Sequence, residues 1–208
     1  MPFLGLFIAV VCLFTFFRKR SNRSQENVTD RFWKRESIAN NTRLQDLSGL
    51  PYITIPFDKF PIGMYENDLL KNYENTLQTL SGQKIVNFGT QTNTDLKITY
   101  GTASLPALTE YEQNFTTLCQ TLTAYARQLF ELGHTDDART ILEYGISIGS
   151  DLSQNYLLLA KIYQSSGETG RIRELLASAE QLDSLMKRSI VEKLTAMLPE
   201  DTANTPVQ

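Results

Sequence analysis

Two stretches decide how this chain is read: Leu122-Thr-Ala-Tyr-Ala-Arg-Gln-Leu-Phe-Glu-Leu-Gly133 and Tyr156-Leu-Leu-Leu-Ala-Lys-Ile-Tyr-Gln-Ser-Ser-Gly167. They superpose at an offset of 34 residues, with Ala126 over Ala160, Gly133 over Gly167, Tyr125 over Leu159 and Leu129 over Tyr163. The offset persists beyond them, since Leu142 falls on Leu176 and Gly145 on Ala179. A fixed period of this length marks a repeated supersecondary unit that buries its apolar face on its neighbour. Small residues let two antiparallel helices approach, large ones fill the space between, and glycine makes the tight turn. The spacing predicts helix throughout residues 111–198.

On these residues the segment resembles the tetratricopeptide repeat family. Leu122, Tyr125, Ala126 and Leu129 stand at the large and small positions of that motif's first helix, Gly133 at its turn, and Ala138, Leu142 and Gly145 on its second helix. The matching set in the next unit is Tyr156, Leu159, Ala160, Tyr163, Gly167, Ile172, Leu176 and Ala179. Two departures stand out. Ile172 replaces a small residue, and Ser150 and Ser184 occupy the places where a proline often closes the unit. Two units need a cap, for which Leu185 to Leu198 offers Leu185, Met186, Ile190, Leu194 and Met197 at helical spacing. The resemblance implies a partner-binding concave groove lined by the first helix of each pair. On this sequence it would hold Gln120, Thr123, Arg127 and Phe130, then Gln154, Leu157, Lys161 and Gln164, with Arg188 joining from the cap. Arg127 and Lys161, one period apart, would meet an acidic or carboxylate-bearing protein or peptide. The alternative is that they are ordinary solvated cations.

Around this segment the composition is that of an ordinary globular chain. The protein has 208 residues, a mass of 23.6 kDa, 41% hydrophobic residues and a net charge of −3. A pI near 5.3 argues against nucleic acid as a partner. One histidine, His134, in the first repeat's turn, leaves little room for triad chemistry or a histidine-rich metal site. Cys12 and Cys119 do not make a disulfide framework. No phosphate-binding loop, dinucleotide fingerprint or nucleophile elbow occurs, so the reading implies no enzyme, no cofactor and no catalytic residue.

The run from Met1 to Phe17 is uncharged and apolar all round. At roughly 1.5 Å per residue it reaches about 25 Å, against a hydrocarbon core of about 30 Å. It is expected to form a single transmembrane helix rather than a cleaved signal, because the basic cluster Arg18-Lys-Arg20 follows the run instead of preceding it. Residues 18–35 carry seven basic and two acidic side chains, a net of +5, which would hold that side and the rest of the chain in the cytoplasm. The stretch from Arg18 to Arg35 could also meet anionic lipid. This layout resembles uncharacterised membrane-anchored proteins of Gram-positive bacteria.

Residues 18–50 are expected to hold the basic juxtamembrane segment and a helix over 29–40 with Phe32, Trp33 and Ile38 as its apolar residues. Two readings are open to Trp33, a head-group anchor and packing on the domain that follows; its distance in sequence from the apolar run makes packing the expectation. Residues 51–110 read as a small α+β region. Pro51-Tyr-Ile-Thr-Ile-Pro56, Lys84-Ile-Val-Asn-Phe88 and Leu96-Lys-Ile-Thr-Tyr100 have strand chemistry, and residues 67–80 have helical spacing. Residues 199–208 read as a polar, disordered tail. The expected fold is therefore mainly α, with a transmembrane helix, a small α+β region and a repeat solenoid closed by a capping helix. The expected function is a membrane-tethered interaction scaffold. A constitutive or self-associating subunit of a membrane complex is the alternative, and an enzyme with its site in 51–110 is a lesser one.

Overall fold

The computed structural model describes Phe7, Phe14 and residues 29–198. Every regular element among the described residues is helical. α1 covers 29–41, followed by α2 (Asp68–Ser81), α3 (Asn93–Tyr100), α4 (Leu105–Glu131), α5 (Thr135–Ser147), α6 (Ser153–Ser165), α7 (Thr169–Glu180) and α8 (Lys187–Thr195). Two compact units divide the chain, one made of residues 1–47 and 92–105, the other of 48–91 and 106–208. Residues 51–110 are thus shared between the units.

The expected α+β region is corrected, since no strand forms among the described residues. Leu96–Tyr100, read as a strand, is helical because Thr92 and Asp95 form a capping box. Thr92 Oγ1 accepts from the Asp95 amide at 3.3 Å, and Asp95 Oδ2 accepts from the Thr92 amide at 3.0 Å. That reciprocal cap overrides the β preference of Ile98, Thr99 and Tyr100. Residues 51–56 and 84–88 are extended but build no ladder. A backbone bond from Ile53 N–H to Ile85 O at 2.9 Å joins them, with proline at each end of the first. Their apolar residues Ile55, Ile85, Val86 and Phe88 are buried because the segments dock as straps. Val86 N–H donates to Tyr111 O on α4 at 3.4 Å, and Lys84 Nζ lies 5.2 and 5.7 Å from the ring centres of Tyr52 and Tyr111.

The expected transmembrane helix is corrected as well, and with it the single-pass, largely cytoplasmic placement. No helix among the described residues is long and apolar enough to cross a membrane. α4 has the length, at 27 residues, but carries Glu110, Glu112, Arg127 and Glu131. Of the run from Met1 to Phe17 only Phe7 and Phe14 are described; the rest of it, residues 15–28 and residues 199–208 lie outside the described residues.

In the first unit, α1 and α3 are tied by Arg35 to Asp95 and by Glu36 to Lys97, with Thr94 Oγ1 donating to Glu36 at 2.9 Å. Ala39 and Leu96 are its fully buried apolar residues, while Phe32, Trp33 and Ile38, the apolar residues named for this helix, are more than half exposed. Gly101 (φ 86°) lets the chain at Arg43 cross close by, since a Cβ there would lie 2.6 Å from the Arg43 carbonyl oxygen.

In the second unit, α4–α5 and α6–α7 form two helical hairpins. Their turns are the same to the hydrogen bond. Gly133 N–H donates to Phe130 O (3.0 Å) and His134 N–H to Leu129 O (2.9 Å). One period on, Gly167 N–H donates to Gln164 O (3.1 Å) and Glu168 N–H to Tyr163 O (2.8 Å). Both glycines have positive φ, 88° and 74°, which closes each helix through a left-handed residue. The serines in the proline places also act alike: Ser150 Oγ accepts from Leu152 N and Ser184 Oγ from Met186 N. α6 packs on α5, α7 and α8. The cap is a third first-helix, since Ile190 and Leu194 fall one period after Tyr156 and Ala160 and are fully buried. Lys193, in the place of Leu159 and Tyr125, gives that end a polar surface. Leu185 and Met186, expected on the cap's buried face, lie before the helix; Leu185 is fully exposed.

Candidate functional site

Leu122, Tyr125, Ala126 and Leu129 of α4 and Tyr156, Leu159, Ala160 and Tyr163 of α6 all turn into the core. The opposite stripe of each helix is thereby left outward, and α4 and α6 are bridged by three contacts, one buried between Thr123 and Asn155 and two on the outward stripe. Thr123 Oγ1 lies 3.4 Å from Asn155 Oδ1, Arg127 donates to Gln154 Oε1, and Lys161 Nζ sits 5.3 Å from the Phe130 ring centre.

This face is where most of the residues expected to bind a partner lie. Gln120, Thr123, Arg127 and Gln154 line one cavity of about 460 Å³. Thr123 is buried there and donates to Cys119 O, so its hydroxyl is committed to the fold. Phe130, Leu157 and Lys161 are not among that cavity's lining residues; Phe130 and Leu157 are half-buried against the core. Gln164 Nε2 reaches Met197 O at 3.5 Å and links α6 to the end of α8. Arg188 lines a separate cleft with Lys187, Val191 and Glu192. Sequence reasoning missed Ala124, Leu152, Ser153 and Met186, which complete the first cavity. Serine at a helix start carries no binding signal in sequence, and the helical spacing of Met186 places it on the buried side of the cap.

Two other polar clusters hold the unit together. Glu143 Oε1 accepts from Tyr163 Oη (2.7 Å), Arg139 Nε (3.0 Å) and Arg171 (3.0 Å), while Arg139 also reaches Glu168 at 2.7 Å. Burial pushes the Glu143 carboxyl up, but these three donors outweigh it and hold it below the ordinary carboxylate value. At the other end, buried Glu74 accepts from Gly63 N–H at 3.1 Å and from Tyr125 Oη at 2.9 Å. His134, placed in the first repeat's turn, is half-buried and stacks on Tyr65 with ring centres 3.7 Å apart; the Tyr65 hydroxyl donates to Asp137 at 2.6 Å. Each group in these clusters is engaged in joining helices or straps. Among the described residues no histidine, cysteine, aspartate and glutamate side chains gather in a group that could hold a metal ion.

No family model matches the chain, and no curated protein or solved structure matches it.

Proposed function

We propose that the outward face of α4 and α6 docks a protein or peptide partner, and that the two hairpins serve as tetratricopeptide-like units presenting it. The observation carrying this reading is the equivalence of the two hairpin turns, Gly133 and Gly167, which closes α4–α5 and α6–α7 in the same way. Arg127 and Lys161 hold equivalent positions in the two units and are both exposed, which supports a common face. The cavity at Gln120, Arg127 and Gln154 gives a partner somewhere to insert a side chain. In this reading the chain acts by recruitment rather than by catalysis.

Charge reversal tests this. Arg127→Glu with Lys161→Glu should weaken partner binding at least tenfold without altering unfolding, while Arg173→Glu, on the exposed side of α7, should leave it unchanged. Arg139 would be a poor control because Glu143 and Glu168 hold it. Binding lost through Arg173 alone would overturn the reading. The exposure of Leu185 and Met186 favours a second reading, a permanently associated subunit, which a partner co-purifying at fixed stoichiometry would show.

A further inference from the structure

Leu185 and Met186 precede α8 with exposed side chains, and no other large apolar side chain among the described residues is as exposed as Leu185. One exposed leucine by itself carries no meaning. Leu185, however, together with Ser184, lines two clefts at once. The first, of about 550 Å³, has Val191 in its wall and holds Lys187 and Arg188 beside Glu180 and Glu192. The second, of about 650 Å³, is walled by Phe115 and Leu182 and holds Glu112, Asp151 and Asp183 with no basic side chain. The hydroxyl of Ser184 donates to Asp151 at 2.5 Å and that of Thr90 to Asp183 at 2.8 Å. Among the described residues none of these three carboxylates is in an ion pair, and neither is Lys187 or Arg188. Elsewhere in the same unit cations do find carboxylates, since Arg139 and Arg171 are each paired with two.

We propose that this surface joins two copies of the chain about a two-fold axis. A two-fold interface uses the same patch on both subunits, so one patch must carry both halves of every contact. This patch does: an apolar side chain projects beside an apolar-walled cleft, and unpaired cations stand beside unpaired carboxylates. Leu185 of each copy enters the other's acid-bearing cleft against Phe115 and Leu182. Lys187 and Arg188, the first residues of α8, then meet Glu112, Asp151 and Asp183 of the other copy. A buried apolar anchor ringed by complementary charge is the usual anatomy of a specific contact. This inference gives the permanently associated subunit its partner, so it rests on that second reading and not on the α4/α6 face.

The test mixes two purified full-length copies carrying different affinity tags and measures how much of one is captured through the other. Wild type should capture wild type. Leu185→Asp, at a wholly exposed position, should lower capture at least tenfold with helix content unchanged. Lys187→Glu with Arg188→Glu should fail to capture its own kind, and so should Glu112→Lys with Asp183→Lys. Mixed together, these two variants place opposite charges at both halves of the interface, and capture should return to at least half the wild-type level. That recovery also shows both variants to be folded. Arg127→Glu with Lys161→Glu should capture like wild type, which keeps this result separate from that of the docking face. No capture by wild type, capture indifferent to Leu185→Asp, or a mixture that recovers nothing would overturn the two-fold contact. The α4/α6 reading would stand in each case, and a different protein co-purifying at fixed stoichiometry would then supply the subunit reading with its partner.

Discussion

A Cβ added at Gly145 would stand 3.1 Å from Nδ2 of Asn155. Asn155 is 1% exposed and cannot retreat, because its Nδ2 donates to Leu142 O at 3.1 Å and its Oδ1 faces Thr123 of α4 at 3.4 Å. One side chain thus joins α4, α5 and α6, and the missing Cβ of Gly145 is what admits it. In the next unit Ala179 takes the glycine's place and Ser189 the asparagine's, so the device is used once.

Gly145→Ala should therefore destabilise the protein by about 1–3 kcal/mol, the usual cost of overpacking. Gly170→Ala is the contrast. A Cβ added there, on α7, would meet no atom within 4 Å, and replacing a helical glycine should add about 0.5–1 kcal/mol. Urea unfolding of the two variants checks both signs.

The Glu143 cluster predicts a pH dependence. Its carboxyl is held below its ordinary value of 4.5 in the folded chain. A group depressed on folding contributes stability fully present above its unfolded value and lost as pH falls through the folded one. Wild-type stability should thus decline from near pH 4.5 downward. Glu143→Gln should be less stable at neutral pH, with a shallower decline over the same window, as read from chemical unfolding at stepped pH. A parallel decline in the variant would mean that other carboxyls carry the effect.

Cys119 offers a probe of core opening. Burial pushes its thiol up to about 12 and its side chain is 4% exposed. In a Cys12→Ser background, a thiol reagent at about pH 8 should label native protein at the rate of unfolding alone, and denatured protein at once. Rapid labelling of the native state would show that the α4 core is open.

The repeats are legible in the sequence because period and turn chemistry agree. Gly133 and Gly167 mark left-handed helix ends there, and both act as such in the structure. The straps mislead because Ile53, Ile85 and Val86 are β-branched for burial as docked extended chain, and sequence does not say whether an extended segment finds a ladder. α3 misleads for another reason: the Thr92–Asp95 cap lies outside the five residues with strand chemistry. Of the expected binding residues, Gln120, Arg127 and Gln154 can be placed by period alone. Arg188 falls one period after Gln154 and is in phase with it, yet it lines a cleft of its own, which the period does not show.

Site-specific photo-crosslinking in the native host tests the docking claim most directly. A benzoylphenylalanine at position 154, in the centre of the α4/α6 face, and another at 173, on exposed α7, are compared by the adducts they trap. Docking on α4 and α6 predicts a discrete adduct at 154 that disappears when Arg127 and Lys161 are reversed to glutamate, and none at 173. An adduct at 173 alone, insensitive to those reversals, would contradict it.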